Sequence, residues 1–290
     1  MSSNSILATI PTFKPAKDVF PLVESLTHSC PVLVSDDASP ATSDSLLRSI
    51  QTFPRVKVLR HQSNTGIGRG LNEGLREARD LGLTWLLTVD QDSILPPRYV
   101  SELSSAMQLL ASKGLQLGAL GAGVICVADA MMRYPGHVVD YGRVKVLITE
   151  EVIQSGTIWN VDAMLSLGGF KESFGMDAVD AHACLRLREA GLVVAAVEDL
   201  EINHRIGSAQ PVSIKGRNPV FLTGHSPERR TSMVRNRLAL FPSEFRQSPR
   251  HAFRTLRRVL VNQAGGLMVE TDKWSKASGS LRGLIPSRKR

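Results

Sequence analysis

Two carboxylates, Asp90 and Asp92, stand two residues apart after the apolar run Trp85-Leu86-Leu87-Thr88-Val89 and shortly before Pro96-Pro97. The run is β-prone and lacks turn residues, so the pair is expected where a buried strand leaves a sheet. Carboxylate oxygens in that position can hold a hard divalent cation such as Mg2+ or Mn2+, which in turn can neutralise a diphosphate. Taken alone, Asp-x-Asp is equally well explained by a turn or a cap. A second pair, Asp36-Asp37, ends the strand-like run Pro31-Val32-Leu33-Val34-Ser35, and open α/β sheets bind ligands at the carboxyl ends of their strands. A third group, Asp177, Asp180 and His182, falls in the opening turns of a helix that stops at Gly191. Capping accounts for one of its acids. A carboxylate there that faces the cleft of Asp92 could serve as a general base.

Other positions suit ligands of other kinds. Asn64-Thr65-Gly66-Ile67-Gly68-Arg69-Gly70 enters a helix, and Leu71 stands where a dinucleotide fingerprint needs its third glycine. What remains is a helix N-terminus with a guanidinium, both of which favour an anion such as phosphate. At Ser155-Gly156 a missing side chain would let the backbone approach a ligand closely. His204 follows a strand by a few residues, and both a structural role and a ligand role stay open.

The elements that must position these residues alternate along the first half. Strands are expected over 5–10, 31–35, 56–60 and 85–89, with helices over 16–27, 43–50, 68–80 and 98–112 between and after them. That alternation predicts an α/β chain with a parallel, doubly wound sheet. A glycine-interrupted strand (118–127), a short helix (161–167) and a strand (193–197) continue it, whereas 129–146 reads as a polar, irregular insertion or lip over the site.

Composition narrows the class. The 290 residues can bury a sizeable core. Cys30, Cys126 and Cys184 are far apart and form no C-x-x-C, which argues against a disulfide framework or a zinc site and favours a reducing cytosol. No targeting leader or membrane-spanning run is read. The net charge is +8, yet residues 246–290 carry eleven Lys and Arg against two acids, a net +9, which leaves −1 for the first 245. A near-neutral body with a cationic tail excludes a basic nucleic-acid groove and suggests a surface-attaching segment. Over Arg250–Val261 a helical projection places Ala252, Phe253, Leu256, Val259 and Leu260 on one arc and Arg250, Arg254, Arg257 and Arg258 opposite. Such a helix lies on an anionic membrane or packs on the domain with a basic solvated face; both stay open. From Lys273 to Arg290 the Ser- and Arg-rich sequence predicts disorder.

In order, Asp36-Asp37-Ala38-Ser39, Asn64 to Gly70, Asp90-Gln91-Asp92-Ser93, Ser155-Gly156, Gly168-Gly169-Phe170, Asp177-x-x-Asp180, His204-Arg205-Ile206-Gly207 and Arg235-Asn236 resemble family 2 glycosyltransferases, and most of all their bacterial rhamnosyltransferase branch. The resemblance spans about residues 5–240. It implies a GT-A fold, a Rossmann-like doubly wound mixed sheet with helices on both faces, with the basic helical tail appended. A glycosyltransferase domain over 1–245 is expected, with a nucleotide-sugar half (1–127) and an acceptor half (128–245), followed by the tail at 246–290.

By position the resemblance implies that Thr12, Asp36, Asp37, Asn64, Gly66, Arg69 and Asp90 bind the nucleotide. It implies a divalent metal, Mg2+ or Mn2+, held by Asp90, Asp92 and His204. Asp180 would be the general base with Asp177 in support, and Ser155, Gly156, Asp177 and His182 would meet the acceptor. The chain departs from the branch at His182, where an acid is usual, and at Gly175-Met176, which thin the usual apolar-aromatic surroundings of Asp177. The expected reaction is inverting transfer of L-rhamnose from dTDP-L-rhamnose to a glycan or polyprenyl-diphosphate-linked precursor at the cytoplasmic membrane face, with peripheral membrane contact and no nucleic acid. The alternatives are a UDP-hexose donor or a nucleotide-sugar-binding protein that has lost turnover.

Overall fold

The computed structural model describes residues 5–127, 130–203, 210–212, 220–222, 225–269 and 273–284. The chain divides into two compact units, one formed by 1–126 with 131–204 and the other by 127–130 with 205–290. Residue 245, where the sequence reading divides the chain, falls within a helix of the second unit.

The first unit is built on strands β1 (Ile6–Thr12), β2 (Val32–Asp36), β3 (Val56–Arg60) and β4 (Trp85–Thr88). They alternate with helices α1 (Val19–Thr27), α2 (Asp44–Gln51) and α3 (Ile67–Asp80), and α4 (Tyr99–Ser112) follows. Strands β1, β2 and β4 are buried along their whole length, as continuous apolar runs require when helices cover both faces of a parallel sheet.

The remaining strands are β5 (Leu117–Val127), β6 (Ala130–Arg133), β7 (Gly136–Asp140), β8 (Lys145–Thr149), β9 (Thr157–Asn160) and β10 (Val193–Asn203). The sheet order is β3-β2-β1-β4-β9-β5-β10-β8-β7, with β6 on β5. Strand β9 runs antiparallel between β4 and β5, so the sheet is mixed. Trp159 on β9 is fully buried, donates its indole N–H to Thr88 Oγ1 at 2.8 Å and meets Phe170 edge-on at 5.2 Å. That contact seats α5 (Val161–Ser166) and the turn after it under the sheet.

Residues 129–146 are not irregular where described: β6 and the antiparallel β7–β8 hairpin occupy most of this stretch. The pattern is hard to read because β7 is a largely exposed edge strand with no alternating apolar face. Helix α6 (Val179–Glu189) closes the unit against β10.

In the second unit a two-stranded ribbon, β11 (Gln210–Val212) and β12 (Val220–Leu222), accompanies α7 (Pro227–Gln247), α8 (Pro249–Val269) and α9 (Lys273–Gly283). Buried polar pairs staple the helices. Arg237 Nη1 lies 2.7 Å from Glu244 Oε1, and Thr255 Oγ1 donates to Glu244 Oε2 at 3.2 Å, joining α8 to α7. Helix α9 stands where disorder was expected: Gly279 and Gly283, one turn apart, let it lie directly on the backbone of Pro227 and Thr231. A Ser- and Gly-rich composition that argues against order in isolation here supplies a small-residue contact face.

Candidate active site

The two acids that end β2 have different tasks. Asp36 is fully buried; its Oδ1 accepts from Thr12 Oγ1 at 3.1 Å and from Ser39 Oγ, and its Oδ2 accepts from the Ser39 amide at 3.0 Å. Arg60 Nε lies 3.3 Å from the same Oδ2. These bonds fix the ends of β1, β2 and β3 to one another. Asp37 organises the next loop instead. Its Oδ1 accepts from the Thr65 amide and its Oδ2 from the Gly66 amide, both at 2.8 Å, while Asn64 Nδ2 donates to the Asp37 carbonyl at 3.3 Å. The loop thus delivers the N-terminus of α3, and with it Arg69, to the carboxyl edge of the sheet.

Behind Asp37 sits a buried group that the sequence did not single out. His61 Nδ1 lies 3.1 Å from Asp37 Oδ1, and its Nε2 lies 2.6 Å from Glu73 Oε2. Glu73 also accepts from Ser35 Oγ at 2.7 Å and approaches Arg69 Nε at 3.4 Å. The network ties the Asp37 loop to the first turns of α3.

Asp90 and Asp92 share one turn, closed by the Ser93 amide on the Asp90 carbonyl at 3.1 Å. Between them Gln91 grips the backbone of Phe13 from both sides, accepting its N–H at 3.0 Å and donating to its carbonyl at 3.2 Å. The end of β1 and the end of β4 are therefore one piece. The segment before β9 completes it: Gln154 Nε2 donates to Asp90 Oδ1, and Ser155 Oγ accepts the Asp90 N–H at 2.9 Å. Facing its amino group to a carboxylate is the only satisfactory orientation of the Gln154 amide, and it leaves Oε1 buried without a partner among the described residues. Gly156 has φ +77°, and a Cβ there would stand 2.5 Å from the Tyr99 hydroxyl. Ser155 and Gly156, expected at the acceptor, thus hold the Asp90 turn and pack on Tyr99.

Among the described residues the Asp92 carboxylate has no hydrogen bond or ion pair, and it is only half-buried. A hard-oxygen pair with one member oriented and the other uncommitted fits a divalent cation. His204 lies outside the described residues. The residue before it, Asn203, pairs with Ile94, its carbonyl accepting the Ile94 N–H at 2.8 Å, so the chain at 203 runs beside the Asp92 turn.

The third acidic group is brought in by α3. Asn72 Nδ2 donates to the Phe170 carbonyl at 2.9 Å and to Glu172 Oε1 at 2.8 Å, and its Oδ1 accepts the Phe170 N–H at 2.7 Å. Gly66 (φ +89°) passes so close to Gly175 that a Cβ would stand 2.6 Å from its carbonyl oxygen. The loop entering α3 and the loop leading to Asp177 are therefore in direct backbone contact. Helix α6 begins at Ala178, which has φ +64° and provides no side-chain cap. A left-handed alanine costs about 1–2 kcal/mol, a strain sited between Asp177 and Asp180. Asp180 Oδ1 accepts the Ala181 N–H at 2.8 Å, and burial together with the Asp180 charge pushes the Tyr134 phenol well above its usual range. Tyr134 also accepts the Ile153 N–H at 2.9 Å, which links the surroundings of Asp180 to the Gln154 segment. Burial, with Lys171 and Arg186 nearby, pulls His182 down to about 4, and its Nδ1 is buried without a partner among the described residues. A neutral imidazole thus stands where the branch has an acid.

The mixed sheet has the GT-A architecture, and by sequence the chain belongs to glycosyltransferase family 2. The sequence profile described as "Glycosyl transferase family 2" matches residues 8–111. The dTDP-rhamnosyl transferase RfbF of Shigella flexneri is 30% identical over 253 residues, which cover 83% of this chain and 80% of that one. Among solved structures, TarS of S. aureus (residues 1–349, in complex with UDP-GlcNAc) superposes with a TM-score of 0.62 at 14% identity, covering 98% of this chain and 80% of that one. A mannosyltransferase from Pyrobaculum calidifontis, in complex with GDP-Man and Mn2+, gives 0.58 at 15% identity, covering 97% and 81%. These two likenesses establish the fold.

Proposed function

We propose that the protein is an inverting, metal-dependent rhamnosyltransferase that uses dTDP-L-rhamnose and acts on a glycan or lipid-linked glycan precursor at the cytoplasmic membrane face. The observation that carries the donor is the 30% identity to a dTDP-rhamnosyl transferase over most of both chains. The site chemistry agrees with it. Asp37, its loop and Arg69 bind the nucleotide, while Thr12 and Asp36 set the floor beneath it. Asp90 and Asp92, with His204, hold the divalent cation, which when bound neutralises the charge of the departing diphosphate. Asp180 takes the proton from the acceptor hydroxyl as that oxygen attacks the anomeric carbon from the face opposite the diphosphate. The nucleoside diphosphate departs with the bonding pair, and no protein nucleophile is needed. Asp177 and the neutral His182 contact the acceptor.

Calorimetric titration of the full chain with dTDP-rhamnose, dTDP, UDP-glucose and UDP, each with Mn2+ and with EDTA, tests this reading. Metal-dependent binding confined to the dTDP ligands is expected. Preference for UDP would replace the donor and keep the residues, and absence of all nucleotide binding would overturn the proposal.

A further inference from the structure

Burial divides the apolar arc of the basic tail helix in two. In α8, His251, Ala252, Thr255 and Gln263 are buried and Leu256 and Val259 half-buried, so these residues make the inward face. Phe253 and Leu260, which the projection grouped with that face, point outward and are 58% and 54% exposed. They are seven residues apart, hence within about 20° of one another at 100° per residue. The exposed arc continues through Arg250, Arg254, Arg257, Val261 and Arg258. One outward face therefore carries an apolar flank and a basic flank side by side. Phe245 of α7, 43% exposed, extends the apolar flank by meeting Phe253 edge-on at 5.7 Å. Helix α8 contains no acid, and Glu244 is buried beneath it.

We infer that this face of the second unit docks on an anionic lipid surface, with Phe245, Phe253 and Leu260 entering the headgroup boundary and the arginines pairing with lipid phosphates. A helix lying in a membrane interface needs this combination: apolar side chains long enough to leave water, flanked by guanidinium groups at headgroup depth. A single-stranded nucleic acid could stack a base on Phe253, but Leu260 and Val261 offer it no such contact, whereas all three apolar side chains suit the headgroup boundary. The inference deepens the membrane-side part of the proposed function and rests on it only for the location of the acceptor.

The test is co-sedimentation of the full chain, without donor or acceptor, with phosphatidylcholine vesicles and with vesicles containing a third phosphatidylglycerol. Binding to the anionic vesicles alone is expected. F253S/L260S should weaken it at least tenfold; because Phe253 also packs on Phe241 and Phe245, L260S alone, which touches only a half-exposed side chain, should weaken it in the same direction. R250Q/R257Q should weaken it roughly fivefold for each charge removed and flatten its salt dependence. Thermal midpoints close to the parent's would show that the variants are folded. Absence of binding to anionic vesicles overturns the inference. So does binding that F253S/L260S leaves unchanged and that heparin displaces, since that would mark a surface for polyanions. Either failure leaves nucleotide binding by the first unit intact, and loss of nucleotide binding leaves the vesicle result intact.

Discussion

The Asp36-Asp37 end of β2 and the start of α6 are built on opposite principles. At the first, both oxygens of Asp36 and both of Asp37 already receive donors from neighbouring backbone and side chains. At the second, α6 starts from a left-handed alanine without a side-chain cap, and His182 presents a buried nitrogen that lacks a partner among the described residues. A saturated carboxylate fixes a loop before any ligand arrives, so little ordering is left to be done on binding. A strained, incompletely paired segment holds its shape less firmly and can be altered by one or two substitutions.

The sharpest test of that contrast is Asp180→Asn. Transfer should fall by about 10²-fold or more on the scale of a lost general base, with donor affinity nearly unchanged in the same calorimetric titration. Near-normal transfer would put the base elsewhere. Asp37→Ala strips the partners from two part-buried loop amides, and at about 1 kcal/mol for each, the low end of the range because water can reach them, it should lower the unfolding free energy by about 2 kcal/mol. Denaturant midpoints measure this, and a loss below about 0.5 kcal/mol would mean that the loop does not depend on the carboxylate.

Gln154→Leu should act differently, because it removes the tether on Asp90 together with a carbonyl oxygen that is already unpaired. Donor affinity should drop about tenfold, the scale of one hydrogen bond to a charged group, with little change in thermal midpoint. Unchanged affinity would show that Asp90 needs no tether.

The smallest effect concerns His182. Its folded pKa of about 4 lies below the ordinary 6.5, so the unfolded chain takes up the proton first as the pH falls. Its stabilising contribution is complete above about pH 6.5 and is lost on the way down to about pH 4. His182→Leu should therefore flatten the decline of stability across that window, as read by urea midpoints at several pH values. An unchanged slope would show that another group titrates there.

How much of this was legible depended on whether a residue's partners were near in sequence. Strands β1, β2 and β4 were readable because burial on both faces demands unbroken apolar runs. Strand β9 was missed: Thr157–Asn160 is four residues long and forms only because β4 and β5 leave a slot between them. The acids at the strand ends were visible as chemical types at structural boundaries. Their supports were not. Gln154 reaches Asp90 across 64 residues and Asn72 reaches Phe170 across 98, and no local pattern marks either. His61 offered a weak signal as a polar residue just past the end of β3, and in the folded chain it stands between Asp37 and Glu73.

The tail shows the same division. Its charge and helical periodicity were legible in the sequence, but the projection could not say that Phe253 and Leu260, at one edge of the apolar arc, stay exposed while Ala252 is buried, because periodicity reports only that a helix has two faces. Which face turns inward is decided by what it meets, here Glu244 and Arg237 on α7, and buried polar partners drew His251 and Thr255 inward in place of the phenylalanine. Sequence alone determined the strand and helix alternation, the three acidic groups and the cationic tail, since each follows from residue type and short-range spacing. Tertiary structure decided which carboxylates are committed and which remain available, because the donors that commit them come from chain segments that only the fold brings together.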